Sequence, residues 1–182
     1  MFRKILLGLA AVAVVFVLVV STRPSTFHVE RSVTVAAPAE RAFAQVNDFH
    51  EWTGWSPYEK LDPQLRRTYE GAPAGVGAIY AWAGNGKAGE GRMTIEASDA
   101  PSRIAINLEF IEPFAATDTA TFTFVPTAEG TKVTWAIDGT NNFVSKAFSL
   151  FMDMDKLIGG DFEAGLASLK AIAERETAQV AR

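Results

Sequence analysis

Residues 103–139, RIAINLEFIEPFAATDTATFTFVPTAEGTKVTWAIDG, decide the fold. Ile104, Ile106, Leu108 and Phe110 fall on one side of an extended chain, as do Phe122 with Phe124, and Val133 with Trp135 and Ile137. A period of two is the signature of a strand with one face buried. The runs are separated by Glu112-Pro113 and Glu129-Gly130, which are turn chemistry at hairpin spacing. Strands joined this closely form an antiparallel meander rather than βαβ units. One side of the resulting sheet is apolar and requires a cover.

Working outward, the same pattern extends upstream. Leu65–Glu70, Ala78–Ala83 and Gly91–Ala97 are further candidate strands, closed by the Gly71–Gly75, Gly84–Gly86 and Asp99–Pro101 turns. Phe27–Val35 makes a first strand, with Val29, Arg31, Val33 and Val35 on one side. Pro38 suits the first turn of a helix carrying Ala42, Phe43, Val46 and Phe49. The aromatic-rich His50–Pro63 segment reads as a short helix and loop. Downstream, Phe162, Leu166, Leu169 and Ala173 recur at spacings of four, three and four, an amphipathic helix suited to cover the sheet. Val144, Phe148 and Phe151 form a similar stripe before it. Gly159-Gly160 is expected to interrupt the helical region, with Asp161 capping the restart. The fold class is therefore α+β.

The other end of the chain has a different character. Ile5–Val20 contains no charged or polar side chain, and Arg3 and Lys4 precede it. Sixteen residues of helix cover roughly 24 Å, somewhat less than a typical span, which flanking residues and local thinning can accommodate. The positive-inside tendency keeps the N-terminus cytoplasmic and exports the remainder of the chain. Residues 1–25 are read as a membrane anchor and linker, 26–177 as the domain and 178–182 as a tail. Cleavage as a signal peptide is the alternative, with Val19-Val20-Ser21 a weak site. Arg3, Lys4 and Arg23 lie in the segment and no acid does, so 14 of the 17 basic residues and all 21 acidic ones belong to the remainder. Its formal charge is −7, against −4 for the whole chain. Such a surface disfavours nucleic acid as a partner.

Few motifs carry chemistry. No cysteine is present, which excludes disulfides and thiolate metal sites, and His28 and His50 fall in no ligand spacing. Gly84, Gly86 and Gly89 spell G-x-G-x-x-G, but the residues after it read as a strand, so the motif is a hairpin and no dinucleotide site. Asp153 and Asp155, two apart on a helix, point to different sides and do not converge on an ion. Glu109 and Asp138 are the strand carboxylates of interest, both on the polar alternate. No metal or organic cofactor is expected.

The aromatics are the stronger signal. Trp52, Trp55, Tyr58, Tyr80, Trp82 and Trp135 combine apolar area with a hydrogen-bonding handle, and as a group suit either a core or a pocket for an apolar ligand. Several stretches also resemble, in order, the SRPBCC or START-like superfamily, in particular its polyketide cyclase/dehydrase branch. They are VTVAAPAERAF (33–43), W-x-x-W-S-P-Y (52–58), GEGRMTI (89–95), TKVTWAIDG (131–139) and DMDKLIGGDFEAGLASL (153–169), within about residues 27–175. The resemblance implies a helix-grip fold, a curved sheet around a long C-terminal helix, with a cavity for lipids, sterols or polyketides between them. Trp82, Phe110, Trp135 and Phe148, with the aromatics above, are then the expected ligand contacts. Catalysis is not implied residue by residue.

Overall fold

Seven antiparallel strands lie side by side in the order β1-β7-β6-β5-β4-β3-β2. The computed structural model describes residues 2–151 and 153–180. The strands are β1 (Thr26–Val35), β2 (Arg66–Gly71), β3 (Ala78–Ala83), β4 (Glu90–Asp99), β5 (Arg103–Glu112), β6 (Ala116–Thr127) and β7 (Gly130–Thr140). The six after β1 form the expected meander, and β1 closes against β7. The helices are α1 (Phe2–Ser21), α2 (Ala39–Asn47), α3 (Trp52–Trp55), α4 (Phe143–Phe148) and α5 (Met154–Val180), with a 3-10 turn at Pro57–Lys60.

The core follows the alternation. Ile104, Ile106, Phe122, Phe124, Val133 and Trp135 are buried on the sheet, and Phe162, Leu166, Leu169 and Ala173 are buried on α5. A buried Leu or Phe gains about 1.5–3 kcal/mol over an exposed one, so these two matched faces hold helix and sheet together. The G-x-G-x-x-G motif forms the β3–β4 hairpin. There Gly89 has φ +64° and lies so close to Glu112 that a Cβ would strike its carbonyl.

The sheet's register sends α1 and α4 to one end. The start of β1 (Thr26) pairs with the end of β7 (Thr140), and the start of β6 (Ala116) pairs with Phe110 near the end of β5. Trp82 near the end of β3 pairs with Gly91 at the start of β4. The linker 22–25 and the β7–α4 junction therefore meet at this end, where the Asn141 N–H donates to the Ser25 carbonyl at 2.8 Å and its Nδ2 to the Pro24 carbonyl at 3.3 Å. β2, at the other edge of the sheet, is six residues long and carries Arg66, Arg67 and Glu70.

Two expectations are corrected. First, Gly159-Gly160 does not interrupt α5, which is continuous from Met154 to Val180. Nor does Asp161 cap a restart. Asp153 caps the helix instead, its side chain accepting from the Lys156 N–H at 3.2 Å. Gly159 serves packing, because a Cβ there would collide with the Arg31 guanidinium. Arg31 donates across this gap to Asp155 and Glu163, each at 2.9 Å. Second, the stripe on α4 does not cover the sheet. Phe143, Val144, Phe148 and Phe151 are exposed, and α4 packs beside α1.

The two glycines should thus respond differently to substitution. Nothing lies within 4 Å of a Cβ at Gly160. Gly160→Ala should raise stability by about 0.5–1 kcal/mol through reduced backbone entropy. Gly159→Ala should lose that gain by displacing Arg31, and urea unfolding in detergent micelles compares the pair. Equal stabilisation by both would refute the packing role of Gly159.

Candidate ligand-binding site

The aromatic side chains divide into two groups. Trp52, Trp55, Tyr80 and Trp135 are buried. Trp135 stacks on Phe162 of α5 with centroids 4.0 Å apart and planes 9° from parallel, and on Phe122 at 5.0 Å. Trp55 meets Trp135 edge-on at 5.5 Å, while Trp52 and Trp55 lie 4.6 Å apart. This cluster fills the middle of the concave face. Gly165 on α5 makes room for it, since a Cβ there would approach Trp135 to 2.8 Å.

Hydrogen bonds fix the aromatic segment over the sheet. Trp52 Nε1 donates to the Val46 carbonyl and Trp55 Nε1 to that of Gln45, both at 3.0 Å. The Tyr80 hydroxyl donates to Glu59 Oε1 at 2.5 Å, and Arg67 Nε donates to Glu59 Oε2 at 2.6 Å. Burial and the Glu59 carboxylate push the Tyr80 phenol well above its ordinary value, so it remains a neutral donor. Trp135 is the exception: its buried Nε1 has no hydrogen-bond partner among the described residues.

The second group is half-buried. Tyr58 meets Trp135 edge-on at 6.2 Å, and burial raises its phenol, with Asp161 adding to the effect. Trp82 lies over Gly91, where a Cβ would strike the indole, and meets Phe110 edge-on at 6.1 Å. Trp82, Leu108 and Phe110 therefore give the concave face a partly open apolar end, the same end that receives α1 and α4. A shallow cleft of about 460 Å³ lined by Glu109, Phe110, Ile111, Ala115, Ala116 and Thr117 adjoins it. Phe148, exposed on α4, is in neither group.

The two carboxylates singled out in the sequence lie on the outer face. Asp138 is exposed and hydrogen-bonded to His28 Nδ1 at 2.7 Å, and Glu109 is opposite Arg92. The acid on the concave side is Asp118, which pairs in register with Leu108 and is buried. Gly139 creates its space, because a Cβ there would touch both Asp118 Oδ1 and the Phe27 ring. Oδ1 has no hydrogen-bond partner among the described residues, while the Thr140 N–H bonds to the carboxyl. The sequence signal for Asp118 is its phase with Ala120, Phe122 and Phe124, hidden when the strand is started at Thr119 instead of Ala116. Among the described residues no group of three or more His, Cys, Asp and Glu is arranged to hold a metal.

This geometry defines a class, a helix-grip domain whose curved antiparallel sheet wraps a long C-terminal helix. Residues 26–174 match the family model described as polyketide cyclase / dehydrase and lipid transport, and the chain belongs to that family. No curated protein sequence matches the chain. A Chromobacterium violaceum protein of solved structure is 17% identical with a TM-score of 0.57, the match covering 83% of this chain and 99% of that one. The di-domain ARO/CYC StfQ from the steffimycin biosynthetic pathway is 14% identical with a TM-score of 0.61, over 85% of this chain and 52% of that one. A Staphylococcus aureus protein of unknown function is 11% identical with a TM-score of 0.59, over 84% and 96%. At these identities the likeness concerns the fold.

Asp118 supplies a pH test. Burial pushes its carboxyl above the ordinary aspartate value, opposed in part by the Thr140 N–H. A carboxyl raised on folding contributes stability present below its unfolded value, about 3.9, and lost as pH rises through the folded value. Asp118→Asn keeps the acceptor for Thr140 and removes the charge. Its Tm, followed by circular dichroism, should exceed that of the unsubstituted chain at pH 7, with the difference vanishing near pH 3. An advantage unchanged between the two pH values would exclude the buried charge as its cause.

Proposed function

We propose that the chain is a membrane-tethered binding protein for a lipophilic small molecule, held at the partly open end of the concave face. The observation that carries this reading is the half-buried apolar surface of Trp82, Leu108 and Phe110 at the sheet end joined to α1. Apolar surface left partly exposed beside a filled core is where an apolar ligand gains most from contact. α1 is long and apolar enough to cross a membrane, a property shared by anchors and signal sequences. We assign it the anchor role, with the N-terminus cytoplasmic and the domain on the far side, because Arg3 and Lys4 precede the apolar run. The family's description, which includes lipid transport, supports the same class of ligand.

A second reading, catalysis of the cyclase or dehydratase kind, has one observation in its favour. Asp118 is an inward-facing carboxyl whose burial favours the protonated form, as a general acid requires. The binding reading is preferred because Asp118 Oδ1 is buried beside Gly139 and Asp118 does not line the cleft.

The test is native mass spectrometry of the full chain released from its own membrane in nanodiscs, where a retained lipophilic molecule is expected. Trp82→Ala and Phe110→Ala should each weaken its rebinding roughly tenfold, equivalent to about 1.4 kcal/mol. A protein that carries nothing, and whose tryptophan fluorescence ignores fatty acids, sterols and polycyclic aromatics alike, would sink the proposal.

A further inference from the structure

The phenylalanines that the domain leaves uncovered are not scattered. Outside α1, every exposed phenylalanine among the described residues is Phe114, Phe143, Phe148 or Phe151. Phe114 belongs to the β5–β6 turn, next to the exposed Ile111 at the end of β5, and that turn lies at the sheet end that receives the linker. Phe143, Val144 and Phe148 lie on α4, and Phe151 comes in the next turn. Exposed aromatic side chains gathered at one end of a domain mark an interaction surface rather than ordinary scatter.

Its position specifies the partner. Four residues separate the end of α1 from β1, and Asn141, at the start of the α4 segment, holds that linker through two hydrogen bonds. α4 packs against α1, and Val20 in the last turn of α1 is fully buried. We infer that α4 and the β5–β6 turn form a docking surface for the bilayer interface, inserting Phe114, Phe143, Phe148 and Phe151 among the lipids around α1. Amphipathic elements with aromatic and aliphatic faces lie in such interfaces. The part of the chain after residue 25 is net acidic, so apolar contact and not attraction to anionic headgroups makes the attachment. Docked in this way, the domain turns its Trp82–Phe110 end toward the membrane, and a ligand dissolved in lipid reaches it without crossing water. This inference rests on the assignment of α1 as an anchor.

The absence of cysteine makes the test direct. Single-cysteine variants Leu9→Cys, Phe114→Cys, Phe148→Cys and Glu129→Cys of the full chain are labelled with a polarity-sensitive fluorophore and reconstituted in phosphatidylcholine vesicles. Leu9 reports on α1, and Glu129 lies in the β6–β7 turn at the opposite sheet end. Lipids brominated on their acyl chains should quench the labels at 9, 114 and 148 and spare that at 129. Aqueous iodide should do the reverse, and the pattern should persist near 1 M salt, where screening confines charge attraction to about 3 Å. Labels at 114 and 148 that behave like the one at 129, with position 9 still quenched by lipid, overturn the docking surface and leave the anchor standing. A label at 9 that lipid does not quench removes both. Labels at 114 and 148 shielded from both quenchers, together with cross-linking between copies through position 148, would assign the surface to a second copy and also overturn the inference.

Discussion

The contact between Trp135 and Phe162 organises the domain. Two flat rings stacked at 4.0 Å fix both the height of α5 above the sheet and its rotation about its own axis. Once that rotation is fixed, Leu166, Leu169 and Ala173 must face inward as well, because they recur at helical spacing. Gly165 is the matching concession on the helix side, since any larger residue would push against the Trp135 ring. Trp55 then packs edge-on to the same indole, so the short segment after α2 is positioned by the stack that positions α5.

Polar groups finish what the stack begins. α5 is fastened along β1 by Arg31 to Asp155 and Glu163, by Lys170 Nζ donating to the Thr34 carbonyl at 2.7 Å, and by the Ala36 N–H donating to Glu174 Oε1 at 2.7 Å. Solvent-accessible ion pairs such as those of Arg31 contribute about 0–1 kcal/mol each and single hydrogen bonds about 0.5–1.5 kcal/mol, so these contacts add little to stability compared with the apolar face. Their effect is directional. Arg31, Thr34 and Ala36 meet progressively later residues of α5, which sets the register of one element along the other. Arg31 can take part only because Gly159 leaves its guanidinium a place against the helix backbone.

Much of this was legible in the sequence because a single period governs each element. The alternation in β5, β6 and β7 and the stripe Phe162–Ala173 identified both faces of the core, and the hairpin turns gave the antiparallel order. Where reading failed, long-range geometry had replaced local preference. Gly159-Gly160 carries a helix penalty that locally argues for a break, yet the buried face of α5 and the Arg31 contact sustain the helix across it. The α4 stripe has the spacing of a core helix, but spacing cannot tell which apolar partner a face will meet. The aromatics were identifiable as a group, while the separation of Trp52, Trp55, Tyr80 and Trp135 from the half-buried Trp82 and Phe110 depends on the curvature of the sheet and the placement of α3. Asp118 was missed because moving one strand boundary changes which residues are counted as inward.

β2 lies at the free edge of the sheet. Its outer edge presents unpaired backbone groups, the kind of template onto which a strand from another molecule can add. On the membrane surface to which we propose α1 holds the chain, molecules meet one another far more often than in free volume, so a long, bland edge there would invite sheet-to-sheet polymerisation. At six residues, with Arg66, Arg67 and Glu70 along it, β2 is short and charged enough to discourage that addition. Neighbouring copies can therefore be packed densely without fusing into a common sheet.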